Sequence, residues 1–275
     1  LLECVVNLSE GRDRTWLDAS AAFLGPALLD LHANWWHHRS VFTLAGPAVE
    51  AIAQGLATAA IAHLDLTSHE GVHPRCGVVD VVPFVPLGPQ GMRPGGDLTE
   101  AVAARDRFAR WAGDELGIPC FCYGPERALP DIRRHAFRDL RPDTGPDRPH
   151  PTAGAICVGA RPALVAYNLW LADPDLDEAR RIAAALRSAE VRALGLAVGK
   201  EVQVSCNLIA PWRVGPAEVF DQVEKSAAIA RAELVGLVPE KVLAAIPRRR
   251  WGSLGLGERS TIEARLATAG IGLSG

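Results

Sequence analysis

The chain has 275 residues, 48% of them hydrophobic, enough to bury the core of one large domain or two smaller ones. Its formal net charge of −3 at pH 7 gives no broad positive field for nucleic acid or an acidic membrane surface. No apolar run approaches the ~18 residues of a membrane span, and no charged leader precedes the first strand, so a cytoplasmic protein is expected.

Leu2 to Leu8 reads as a strand, closed by Ser9-Glu10-Gly11. Arg12 to Leu24 has helical spacing, with Trp16, Leu17, Ala21 and Leu24 on one side. Ala27 to Ala33 and Ser40 to Ala45 read as strands joined by a polar turn. Val49, Ile52, Ala53, Leu56, Ala60 and Leu64 form the apolar face of the next helix, and Gly77 to Val85 is the next strand. A helix over Leu98 to Leu116 follows Pro94-Gly95-Gly96, with Asp97 and Glu100 as a capping box and Gly117 as its stop. Ile118 to Tyr123 is a further strand, and on it Cys120 and Cys122 share a face. With no C-x-x-C pair, the six cysteines read as reduced core residues.

A connector rich in Pro, Arg and Asp runs from Gly124 to about Gly154, interrupted by a short helix at Pro130 to Leu140. Ala163 to Leu171 then reads as a strand, Asp173-Pro174 as the start of a helix to about Ser188, and Val191 to Val198 with Glu201 to Ile209 as a hairpin. Pro216 to Ala232 reads as a helix and Glu233 to Val238 as a closing strand. The order β-α-β-β-α-β therefore occurs twice. The expected fold class is α/β (α+β): two ferredoxin-like βαββαβ subdomains, 1–145 and 146–250, and a tail, 251–275. On Glu201 to Leu208, Gln203, Ser205 and Asn207 alternate with apolar neighbours, and Asp30, His32 and Asn34 alternate in the same way. Those polar faces either meet water or face each other across a ligand-sized cleft.

The segment His69 to Pro86 joins two histidines on a polar turn to an apolar strand. His69-Glu70-Gly71-Val72-His73 spells H-E-x-x-H, which would suggest a zinc hydrolase. That motif works on a helix, where residues four apart share a face. Here Gly71 lies inside it and Pro74 follows it, costing about 1 and about 3 kcal/mol in a helix interior. No metal is expected. A histidine on a constrained turn beside a buried strand is instead suited to proton transfer.

Several segments together resemble the formiminotransferase domain family. They are Glu3-Cys4-Val5-Val6-Asn7-Leu8-Ser9-Glu10-Gly11, His38-Arg39-Ser40-Val41-Phe42-Thr43, Gly71-Val72-His73-Pro74-Arg75 and Val79-Asp80-Val81-Val82-Pro83-Phe84-Val85-Pro86. Pro149-His150-Pro151-Thr152-Ala153-Gly154-Ala155, Gly159-Ala160-Arg161, Gln203-Val204-Ser205 and Val235-Gly236-Leu237-Val238-Pro239 continue the likeness, which covers about Leu2 to Val242. The resemblance implies transfer of a formimino group from N-formimino-L-glutamate to N5 of tetrahydrofolate, a step of histidine degradation and one-carbon metabolism. It also implies two subdomains whose sheets face across a folate tunnel, a homodimer, and small-molecule partners only. By position the catalytic histidine is His73, and the folate-contacting loop is Gly145, Pro146, Pro149, His150, Pro151, Thr152, Ala153 and Gly154.

Formimino transfer requires one amine to lose a proton and another to gain one, which a single group with pKa near 7 can do. His73 is the candidate. Asp80 either orients it or caps local backbone. Arg39 and Arg75 are candidate clamps for substrate carboxylates or ordinary surface ion pairs. His32 is a further substrate-binding candidate, and Asn168 and Gln203 offer amide partners for a pterin ring. Val72, Val6 and Trp35-Trp36-His37-His38 depart from the family pattern. They leave open an altered formimino donor or a non-catalytic folate-binding homologue. Trp35 and Trp36 could stack on a ligand or form a dimer contact.

Overall fold

In a computed structural model, which describes residues 1–88, 92–93 and 95–272, the chain divides into two compact units. Pro94, part of the expected helix-start signal, and residues 273–275 of the expected tail lie outside the described residues.

The first unit runs to Pro162. Its order is β1 (Leu2–Leu8), α1 (Arg14–Leu24), β2 (Leu28–Asn34), β3 (Arg39–Ala45), α2 (Val49–His63), β4 (Val79–Pro86), α3 (Thr99–Glu115), β5 (Cys120–Tyr123), α4 (Leu129–His135) and β6 (Ile156–Ala160). The six strands form one sheet in the order β2-β3-β1-β4-β6-β5. Within it, β4-β1-β3-β2 is an antiparallel βαββαβ sheet, and β6 and β5 extend its β4 edge in parallel.

Alternation along the strands sorts the residues. Cys4, Val6, Leu8, Phe42, Leu44, Val82 and Phe84 pack with Leu17, Ala53, Leu56, Ala60, Ala104 and Phe108 of α1, α2 and α3. The other sheet face is divided. Under α4, Val81, Phe121, Tyr123 and Cys157 pack with Ile132 and Phe137. Across β1, β2 and β3 that face is polar: register places Asn7, His32, Asn34 and Arg39 on it.

The second unit begins at Ala163. It comprises β7 (Val165–Leu171), α5 (Leu176–Leu186), β8 (Val191–Val198), β9 (Glu201–Leu208), α6 (Pro216–Glu224), β10 (Ile229–Val235), α7 (Glu240–Ala244) and α8 (Ile262–Thr268). Its sheet order, β10-β7-β9-β8, repeats that of the four-stranded part of the first unit. Tyr167, Leu169, Val202, Val204 and Cys206 pack with Ala179, Ile182, Ala183, Val219 and Val223. The opposite face carries Asn168, Trp170, Gln203 and Glu233.

The twofold βαββαβ reading holds, and several details differ from it. The division falls after Pro162, not at 145, because Ile156–Ala160 is a strand of the first sheet, paired on both sides. Its unbroken apolar run is typical of a parallel strand buried on both faces and lacks the alternation that marks an edge. The connector therefore belongs to the first unit.

The helix expected to run to Ala232 stops at Glu224, because Ile229–Val235 completes the second sheet against β7. Ala227, Ala228, Ala230 and Ala232 favour a helix, and strand pairing overrides them. Helix α5 opens after Asp175, whose carboxylate accepts from the amides of Asp177 and Glu178, not at Asp173-Pro174.

Residues 251–272 are no loose tail. Leu254, Leu256, Ile262 and Leu266 are buried, and the Tyr167 hydroxyl donates to the Leu254 carbonyl at 2.7 Å. Among the described residues no helix is long and apolar enough to cross a membrane.

Candidate functional site

Three loops of the first unit meet at one end of its sheet: 9–13 after β1, the turn 35–38 between β2 and β3, and 64–78 before β4. Arg12 ties them, donating to the carbonyls of Trp35 at 3.1 Å and Glu70 at 2.9 Å. His69 Nε2 lies 2.9 Å from the His38 carbonyl, which can only accept, so Nε2 carries the proton. The two rings stack with centroids 4.1 Å apart. Gly71 makes a close approach: a Cβ there would lie 2.5 Å from the His37 carbonyl oxygen.

The segment His69 to His73 is not helical. His69 engages His38, whereas the His73 ring lies 5.9 Å from that of His37. The two imidazoles thus serve separate neighbours, without the shared helical face that H-E-x-x-H zinc binding uses.

The His73 Nδ1 lies 2.7 Å from the Pro74 carbonyl oxygen. That oxygen has no proton to give, so Nδ1–H donates and the lone pair sits on Nε2. Burial, reinforced by the charge of Arg39, holds the His73 pKa well below the usual histidine range. This corrects the expectation of a pKa near 7. In the free protein His73 is neutral at neutral pH, with Nε2 ready to accept a proton.

Asp80, at the start of β4, is fully buried. Its Oδ2 accepts from Arg39 Nη1 at 2.5 Å and Arg133 Nη2 at 2.7 Å, and its Oδ1 accepts from the Cys76 amide at 2.7 Å. Burial alone would raise its pKa, but Arg39 and Arg133 outweigh it and hold the carboxyl at about 2. The Asp80 carboxylate is therefore taken up by two guanidiniums and one amide instead of pairing with His73.

Arg39 also donates through Nε and Nη2 to the Asn7 side chain at 3.2 and 2.9 Å, so it is an internal strut more than an open clamp. Arg75 donates to the carbonyls of Gly71 and of His73, the latter at 2.9 Å, bracing the loop that carries His73 from inside. Arg39, Arg75 and Arg133 share the field of Asp80, so among these four groups positive charge exceeds negative by two. Arg133 Nη1 is buried with no hydrogen-bond partner among the described residues.

The expected folate loop is two separate features. Gly145 turns with φ 80° beside Ile118, and Thr144 accepts from the Cys120 amide at 2.9 Å. His150 to Gly154 is a tight turn held at the start of β4. Leu66 donates to the Thr152 carbonyl at 2.7 Å, Val78 to Ala153 at 2.9 Å, and Ala155 to Cys76 at 3.0 Å. Gly77 permits this packing, since a Cβ there would lie 2.3 Å from the Ala155 carbonyl oxygen. Pro149 and Pro151 stay exposed on the turn.

His32 lies on β2 opposite Val41, on the same sheet face as Arg39. Asn168 and Gln203 lie in the second unit. Asn168 donates to Glu233 at 3.0 Å, an acceptor it shares with the Trp170 indole at 3.1 Å, and both amides are buried.

Arg133 escaped sequence reasoning because it sits in the connector helix α4, where the surrounding Arg and Asp residues resemble a solvated surface. Asn7 and Glu10 lay within the quoted opening segment, but only the fold shows Asn7 on Arg39 and Glu10 capping the amides of Arg12 and Asp13 at 2.6 and 2.9 Å. A separate cavity of about 260 Å³, lined by Arg105, Asp106, Glu126, Arg127 and Asp143 among others, holds none of these residues. Its charges pair among themselves, Arg105 with Glu126 and Arg127 with Asp143.

Residues 1–161 match the family model described as the formiminotransferase domain, N-terminal subdomain. The chain is 33% identical to a glutamate formimidoyltransferase of Streptococcus pyogenes serotype M1, over 88% of this chain and 90% of that protein. It is also 33% identical to a glutamate formimidoyltransferase of Thermoplasma acidophilum, over 98% of each. Similarity to the formimidoyltransferase-cyclodeaminase of Sus scrofa, at 31% identity, spans 88% of this chain and 51% of that longer protein.

Proposed function

We propose, for a chain that belongs to the formiminotransferase domain family, that it transfers a formimino group from N-formimino-L-glutamate to N5 of tetrahydrofolate. The observation that carries this reading is the state of His73: Nδ1 tied to Pro74, which leaves the lone pair on Nε2, and a positive excess around it. Tetrahydrofolate is the co-substrate, and no metal takes part in our scheme.

N5 attacks the formimino carbon and gives a tetrahedral intermediate. His73 Nε2 takes the proton that N5 loses. The C–N bond to glutamate then breaks, and the imidazolium returns that proton to the departing amine. Imidazolium formation beside Arg39 and Arg133 is unfavourable in the free protein. The carboxylates of the formimino donor offset that charge, so substrate binding raises the basicity of His73 as well as fixing geometry. Arg75, Arg39 and His32 are our candidates for the donor side, joined by Arg133 through its unpaired Nη1. Asp80 acts by holding Arg39 and Arg133 in place.

In the first unit the candidates for folate are Gly145, Pro146 and the turn Pro149, His150, Pro151, Thr152, Ala153 and Gly154; in the second unit, taken by itself, Asn168 and Gln203 are candidate amide partners for a pterin ring. A bound reduced folate should slow amide exchange in 149–154. A cytoplasmic homodimer completes the proposal, with the exposed Trp35 and Trp36 as its candidate contact. The defining experiment incubates purified protein with formimino-glutamate and tetrahydrofolate and follows both products by mass spectrometry. Stoichiometric glutamate and 5-formimino-tetrahydrofolate are expected. Folate binding without either product would favour the non-catalytic alternative, and turnover of a different formimino-amino acid would favour an altered donor.

A further inference from the structure

We infer that Cys76 and Cys157 form a peroxide-oxidisable dithiol, a modification site at the foot of the loop that carries His73. Their sulfur atoms are 3.4 Å apart, with the Cys157 thiol directed at Cys76. The backbone holds them there. The Cys76 amide donates to Asp80 at 2.7 Å, and its carbonyl accepts from Ala155 at 3.0 Å. Cys157 is in register with Val81 on one side and Phe121 on the other.

The two sulfurs are unequal. Cys76 is partly exposed, whereas Cys157 is buried. The Cys157 hydrogen bond and the charges of Arg133 and Arg39 favour the Cys76 thiolate, and Cys157 is held in the thiol form. An accessible attacking sulfur beside a buried resolving one is the arrangement that peroxide-sensing cysteines use. The other four cysteines lack it. Cys4, Cys120 and Cys206 are buried, and the Cys122 thiol is pushed up to about 12 by burial and Asp143.

The oxidant is hydrogen peroxide. The Cys76 thiolate attacks a peroxide oxygen, the S–O bond forms, the O–O bond breaks, and the departing oxygen leaves as water after protonation. The Cys157 sulfur then attacks the Cys76 sulfur. The S–S bond forms, the S–O bond breaks, and the sulfenic oxygen leaves as a second water carrying the Cys157 proton. Two thiols lose two electrons and one peroxide gains them.

A disulfide sulfur pair is about 2.05 Å apart, against 3.4 Å here, so closure draws the two sulfurs together by more than an ångström and pulls on the Cys76 end of the loop. The effect on turnover rests on the functional reading above. A displacement of about 1 Å at a catalytic group can cost about 100-fold in rate, and a tenfold to hundredfold loss is expected here.

The test treats the reduced full chain with hydrogen peroxide and maps its peptides without reduction. We expect loss of two hydrogen masses, a Cys76–Cys157 cross-linked peptide, and reversal by dithiothreitol. Cys157→Ala should give no cross-link and should accumulate a dimedone adduct on Cys76, with melting temperature checked for both forms. A wild-type protein that overoxidises Cys76 without cross-linking, or that oxidises elsewhere first, would overturn the inference. A cross-link that leaves turnover unchanged would overturn its link to the catalytic loop. If the reduced protein turns over no formimino-glutamate, the functional reading fails, while the mass readout still decides the dithiol.

Discussion

His73 donates its Nδ1 proton to the carbonyl of Pro74, the residue that follows it, at 2.7 Å. The same proline that ends any helix here also fixes the tautomer of the imidazole. Because burial and Arg39 hold that imidazole's pKa well below its ordinary value of 6.5, the acid limb of kcat/KM should lie below pH 6.5. That limb reports free protein, and the limb of kcat reports the substrate complex. Carboxylates bound among Arg39, Arg75 and Arg133 should raise the second above the first. Coincident limbs in a full pH profile would show that substrate charge does not tune His73.

Asp80→Asn removes the charge that Arg39 and Arg133 share while keeping an acceptor for the Cys76 amide. Leaving guanidiniums partly buried without their counter-ion should cost about 3 kcal/mol of stability. Denaturant unfolding would measure it. A change below about 0.5 kcal/mol would mean that the two arginines are stabilised elsewhere.

Stability should fall as pH drops from 6.5 toward 4. Burial lowers the pKa values of His38, His69 and His73 in the folded protein, that of His38 to about 4. Between the folded and unfolded pKa values the unfolded chain binds more protons, so unfolding free energy rises with pH across that window. The contribution is complete above the unfolded value of 6.5. A melting temperature that is flat or rising between pH 6.5 and 4.5 would contradict the sign.

Gly71→Ala places a methyl group 2.5 Å from the His37 carbonyl oxygen. The loop must move, and with it His73. Turnover should fall by about 100-fold with folate affinity retained. Wild-type turnover would show that the loop adjusts without displacing the imidazole.

Much of this arrangement was legible in the sequence, because it is set locally. Strand β1, helix α2 and the Glu201–Leu208 alternation announce themselves by period, and Gly71 with Pro74 excludes a helix at H-E-x-x-H. What was hidden depends on contacts between distant residues. Strand β6 lacks alternation because both its faces are covered, so no strand is expected between the connector's end near Gly154 and the strand that starts at Ala163. Arg133 lies 53 residues from Asp80, and no local pattern joins them. Asp80 looked like a partner for His73 because it is close in sequence. The fold gives it to two arginines instead, which leaves Pro74 to orient the histidine.

The central claim is that His73 shuttles the proton in formimino transfer. The most direct measurement compares single-turnover and steady-state rates of wild type and His73→Ala with saturating formimino-glutamate and tetrahydrofolate. General acid–base assistance is typically worth ~10²–10⁴ in rate, so kcat should fall by about that factor, with folate affinity nearly unchanged and the acid limb of the pH profile gone. A mutant that retains wild-type kcat, or that loses folate binding in proportion to rate, would contradict the account.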